Sequence, residues 1–157
     1  MRSFERASGG ALVALLEAEE ALLLQSLAGQ VADLVSIGTP TDPAIARLLP
    51  DAYPDDPEAS AEFRRFTADG LASRKVHNAQ AVIRSLDAVG DTGEVKLDHA
   101  DAQAWLRSLT DIRLTIAARL GIETEDDDAG SSIDPMMRDI YNWLGFVQNS
   151  LLEALDG

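Results

Sequence analysis

Few residues in this chain are equipped for chemistry. The only imidazoles are His77 and His99, and neither stands in an HExxH or similar spacing that sets two ligands on one helix face. Cysteine is absent, which excludes thiolate zinc sites, iron–sulfur clusters, thiol nucleophiles, disulfides and any switch built on thiol oxidation. Glu125-Asp126-Asp127-Asp128 is the densest cluster of oxygen ligands, but it lacks the spaced donors and closing glutamate of a calcium loop and reads as a solvated stretch. Neither GxGxxG nor GxxxxGK[ST] occurs, so phosphate-cradling loops of those kinds are not expected. The expectation is a protein without metal or other cofactor, and without catalytic residues.

Two features remain. Arg113 falls on an apolar helical stripe with Trp105, Leu106, Leu109, Ile112, Ile116 and Leu120. A guanidinium there needs a partner or incurs a heavy desolvation cost, so the spacing predicts a buried ion pair with Glu20, Asp33 or Asp139. A ligand contact is the alternative, with Tyr53 and Glu62 as the first companions to examine. The second feature is a basic segment: Arg64, Arg65, Arg74, Lys75 and Arg84, with His77 among them, fall within 21 residues of an otherwise acidic chain. It reads either as a solvated helix pairing with the protein's own acids or as a docking surface for an acidic or helical partner, to which Asn78 would contribute. Arg74 and Lys75 are both expected to keep their charged ends in water.

The elements that position these residues are mostly helices. Ser3–Arg6 and Leu12–Leu15, separated by Gly9-Gly10, read as a small hairpin. Leu23, Leu24, Leu27, Val31, Leu34 and Val35 recur at helical spacing up to the stop at Gly38 and Pro40. Five of the six prolines fall in residues 38–57, a connector with at most a short turn of helix near Ala44 to Leu49. Asp56-Pro57-Glu58 opens a second long helix, in which Gly70 is expected to mark a kink or break. Glu94–Leu97 reads as a short strand, and Asp98 caps a helix running to Leu120. An acidic loop occupies 122–133, and Asp134-Pro135 starts the last helix. Val13–Leu27 also resembles Val95–Leu109 at a constant offset, each a short strand feeding a helix, so the two strands are candidates to pair.

These elements define a mainly α fold, a bundle of about four principal helices with at most a minor short strand pair, forming a single domain over residues 1–157. The composition agrees: 157 residues, 46% hydrophobic but only 5% aromatic, favour helix over sheet. With 27 acidic against 13 basic residues the net charge is −14, so nucleic acid and anionic membranes repel the molecule as a whole. No apolar run approaches the ~20 residues of a membrane span. A cytoplasmic protein, with a homo-oligomer allowed, is the expectation.

Three blocks carry a family resemblance. They are Leu49 to Thr67, containing Tyr53-Pro54-Asp55-Asp56-Pro57-Glu58 and Glu62-Phe63-Arg64-Arg65 and followed by Leu71, Lys75 and Asn78, then Asp101 to Leu114 with its Arg119-Leu120-Gly121 ending, and Tyr141-Asn142-Trp143-Leu144. Together they resemble the actinobacterial family called domain of unknown function 2017, over nearly the whole chain. The resemblance implies a non-enzymatic regulator acting through protein contacts, with a sigma factor or another transcription component as partner. Direct DNA binding and an enzyme or small-ligand binder near Tyr53, Glu62 and Arg113 are the alternatives. Some family members are implied to work through a cysteine pair, and this sequence has none.

Overall fold

The computed structural model describes residues 1–37, 42–49, 57–120 and 135–156, with the backbone alone for 57–69. It is mainly helical, with a small antiparallel sheet. Strands β1 (Arg2–Arg6) and β2 (Leu12–Leu15) form the expected hairpin. Its turn is closed by Ala7 N–H on the Ala11 carbonyl at 2.7 Å, and Gly9 and Gly10 both have positive φ, which glycine adopts without steric cost.

Helix α1 spans Ala18–Ile37, α2 Pro43–Leu48 and α3 Pro57–Asp87. Strand β3 (Glu94–Leu97) then leads into α4 (His99–Leu120), and α5 (Pro135–Asp156) completes the described chain. The strand order is β1-β2-β3, so the sheet has one strand more than a pair. β2 pairs with β3 from Leu12 opposite Leu97 to Leu15 opposite Glu94, which brings the two similar strand–helix segments side by side. Gly93 closes the approach to β3: its carbonyl accepts the Leu16 N–H at 2.8 Å, its φ is +72°, and a Cβ there would lie 2.5 Å from the Leu16 carbonyl oxygen.

Alternation puts Phe4, Leu12, Ala14, Val95 and Leu97 on the buried side of the sheet. Trp105 of α4, fully buried, meets Phe4 edge-on at 5.9 Å and joins the sheet to the helices. α4 is the central helix and packs against α2, α3 and α5, while α1 lies along α3. α5 crosses the outer edge of β1: the Phe4 N–H donates to Ser150 Oγ at 2.6 Å, and the Arg6 guanidinium donates to the Ala154 and Leu155 carbonyls. These carbonyls belong to the last turn of α5, where a cation is favoured by the helix dipole.

Local caps fix the helix starts. Asp98 Oδ1 accepts the Asp101 N–H at 2.7 Å, and Asp42 Oδ1 accepts the Ala44 N–H at 2.9 Å with Pro43 as the first residue of α2. Of the kink or break expected at Gly70, the break does not occur: α3 stays helical through it. A helical glycine costs only about 1 kcal/mol against alanine, which is too little to end a helix of this length. Among the described residues, no helix is long and apolar enough to cross a membrane.

Candidate functional site

Two long helices approach each other where α3 runs beside α4. Lys75 projects from α3 and places its Nζ 2.6 Å from Asp111 Oδ1 of α4. Both side chains are largely withdrawn from water, at 16% and 5% exposure. Burial pushes the Asp111 carboxyl above the ordinary carboxylate range, while the Lys75 ammonium and its hydrogen bond pull the other way. Lys75 is therefore not free in water. Its place beside the apolar stripe of α3 turns it toward α4, where it neutralises a buried acid.

Above this pair lies an open cleft of about 890 Å³. From α3 it is lined by Leu71, Arg74, His77 and Asn78; from α4 it is lined by Arg107, Thr110 and Asp111. Arg74, His77 and Arg107 are exposed, and among the described residues no ion pair or hydrogen bond holds their side chains. Arg107 sits one helical turn before Asp111, so it flanks the Lys75–Asp111 pair on one wall as Arg74 does on the other. The concave surface is thus cationic at its rim, with a satisfied ion pair at its base.

The residues singled out from the sequence are distributed differently from one another. Arg74, Lys75 and Asn78 come together in the cleft. Arg84 is exposed but lies ten residues further along α3, roughly 15 Å away. It lines a separate, smaller cleft of about 250 Å³ with Glu94, Lys96 and Asp101. Tyr53 and the side chains of Glu62, Arg64 and Arg65 lie outside the described residues. Arg107 was missed by sequence reasoning. Its one local signal is a basic residue on the exposed side of a helix whose opposite side is apolar.

Arg113 is half-buried, and its partners are neutral. Its guanidinium carbon lies 4.4 Å from the centre of the Tyr141 ring, and Nη1 donates to Gln148 Oε1 at 3.1 Å. Among the described residues, its buried Nε has no hydrogen-bond partner. The expected carboxylate is not found: Glu20 instead accepts from the Met1 amino group at 3.2 Å, while Asp33 and Asp139 are exposed. The reason is rotational. Arg113 faces α5, where Gly145 leaves room for it: a Cβ at 145 would come within 3.2 Å of Nη2. Gln148 Nε2 in turn donates to Thr110 Oγ1 at 2.6 Å, and Thr110 Oγ1 donates to the Leu106 carbonyl. This chain of contacts braces the α4 wall of the cleft against α5.

Among the described residues, no three His, Asp or Glu side chains are placed to hold a metal ion. The fold and the cleft together define a mainly helical protein with a small sheet and an open basic groove. The chain belongs to the family described as Domain of unknown function (DUF2017), whose model matches residues 1–155. It is 29% identical over 169 residues to the oxidative stress regulator AosR of Mycobacterium tuberculosis (strain ATCC 25618 / H37Rv), covering 94% of this chain and 75% of that protein. It is also 31% identical over 129 residues to the putative oxidative stress regulator AosR of Mycobacterium leprae (strain TN), covering 74% of this chain and 59% of that protein. No solved structure matches the chain.

Proposed function

We propose that this protein is a non-enzymatic cytoplasmic regulator that acts by binding other proteins, with a component of the transcription machinery such as a sigma factor as its partner. The observation that carries the reading is the convergence of Arg74 and Arg107, which have no ion-pair partner among the described residues, with His77 on one open groove of a molecule whose net charge is −14. Charged groups that find no intramolecular partner add little to stability and are suited to orienting and accelerating association. The ionisable pair at the base of the groove is satisfied internally, which suits a recognition surface better than proton transfer. The names of the mycobacterial relatives support a regulatory role.

With no cysteine, a thiol pair cannot be the signal in this chain. Regulation then depends on association itself, through the abundance or availability of the partner. The test is to crosslink a tagged copy in its host and quantify co-purifying polymerase subunits and sigma factors against a tag-only control. Enrichment of a transcription component, with altered transcripts in a deletion strain, is expected. If no transcription component is enriched and transcripts are unchanged, the reading fails.

A further inference from the structure

The geometry points to the occupant of the α3–α4 groove: a short acidic segment of a partner protein, its carboxylates meeting Arg74 and Arg107 from opposite walls and an aliphatic side chain resting on Leu71. The inference rests on the reading of the protein as a contact-based regulator and specifies the surface and the partner's chemistry. From Gly70 to Asn78 the α3 wall is roughly 12 Å long, enough for about two turns of helix or four extended residues. The groove therefore accommodates a local motif rather than a whole domain face. Its cations differ in what they can offer. Lys75 is committed to Asp111, so a ligand meets the two arginines and His77. Arginine presents a planar fork that matches a carboxylate with two parallel hydrogen bonds.

Charge complementarity also selects the class of ligand. The repulsion from a net charge of −14 is screened within about 8 Å at physiological salt, so a positive groove can attract anionic groups that stay inside it. A nucleic acid extends its phosphates past the groove and over the acidic remainder of the surface, whereas a peptide can concentrate its charge locally and be neutral elsewhere. Leu71, half-buried in the α3 wall, gives the groove an apolar contact that a bare phosphate cannot use.

The experiment uses the full chain and fluorescence anisotropy with a labelled probe of about 16 residues, rich in Glu and Asp with leucine at every fourth position. Its lysine-substituted counterpart, a duplex DNA of similar charge and inorganic phosphate serve as competitors. The acidic peptide is expected to bind, and the double variant Arg74→Glu with Arg107→Glu to weaken it at least about tenfold. The neutral double variant Arg74→Gln with Arg107→Gln should fall between, and an equal charge change at Arg2→Glu with Lys96→Glu should leave affinity within about twofold. An unchanged thermal midpoint for the variants excludes misfolding as the cause.

The proposal is overturned if the groove and control reversals weaken binding equally, if the lysine peptide competes as well as the acidic one, or if DNA or phosphate displaces the peptide at equal charge concentration. Failure here is distinguishable from failure of the functional reading. A groove that binds the peptide while no transcription component co-purifies leaves this inference standing. A partner still captured by the groove reversal leaves only the regulatory reading.

Discussion

Lys75 of α3 and Asp111 of α4, 36 positions apart in sequence, form a largely buried ion pair at 2.6 Å beneath the basic groove. The pair spans the two helices whose faces make the groove. Lys75→Met would strand the buried carboxylate, so a loss of about 3 kcal/mol is expected, at the low end for broken buried pairs because Lys75 retains some solvent contact. The double variant Lys75→Met with Asp111→Leu should recover most of it. Urea midpoints of the two single variants and the double variant measure this, and additive losses would show that the two residues do not interact.

The same carboxyl gives a pH dependence. Its pKa is raised in the folded state, so between the ordinary value of 3.8 and the raised one the native protein binds more protons than the unfolded chain. Its contribution to stability is present at low pH and is lost as pH rises through the folded value. Wild type should therefore gain stability relative to Asp111→Asn as pH falls from neutrality toward 4. Denaturant titrations of both proteins across that range provide the comparison, and a relative loss for wild type on acidification contradicts it.

Replacing Arg113 should cost less than breaking an ion pair, because Tyr141 and Gln148 carry no charge to strand. Adding a cation–π contact to one hydrogen bond gives about 1–2 kcal/mol for Arg113→Ala. A loss above about 3 kcal/mol would mean that a buried charge had been left without its partner.

Two glycines should respond in opposite directions to alanine. Gly93→Ala places a Cβ 2.5 Å from the Leu16 carbonyl oxygen on a backbone with φ +72°, so about 1–3 kcal/mol is lost. Among the described residues Gly70→Ala meets nothing nearer than Arg74 Nη1 at 3.9 Å, and the helix gains about 0.5–1 kcal/mol. Thermal or urea unfolding of the pair checks both signs, and a destabilised Gly70→Ala would indicate a kink that alanine cannot follow.

Peroxide should leave the protein without a thiol-reversible response, since its sulfur resides in Met1, Met136 and Met137 alone. Met136 is 68% exposed and is the residue expected to oxidise first. Intact mass after peroxide should show added oxygen that dithiothreitol does not remove, and the appearance of a reductant-sensitive shift would contradict this.

Much of the architecture was legible in the sequence because its signals are local. Gly9-Gly10 turned the hairpin, Asp98 capped α4, Pro43, Pro57 and Pro135 stand at the first positions of their helices, and the apolar spacing of α1 included Leu24, Val31 and Val35 of its buried face. Each depends on φ, on a missing N–H or on one side chain reaching the next turn, all set within a few residues. The groove was not legible in this way. That Lys75 turns inward to Asp111, that Arg107 joins Arg74 across the cleft, and that Arg113 rests on Tyr141 instead of a carboxylate all depend on the rotation and offset of one packed helix against another. Successive helical positions differ by about 100°, so a modest rotation exchanges a core-facing residue for a groove-facing one. The burial of the whole apolar surface decides that rotation, and so only the tertiary structure determined which charges are paired and which are free.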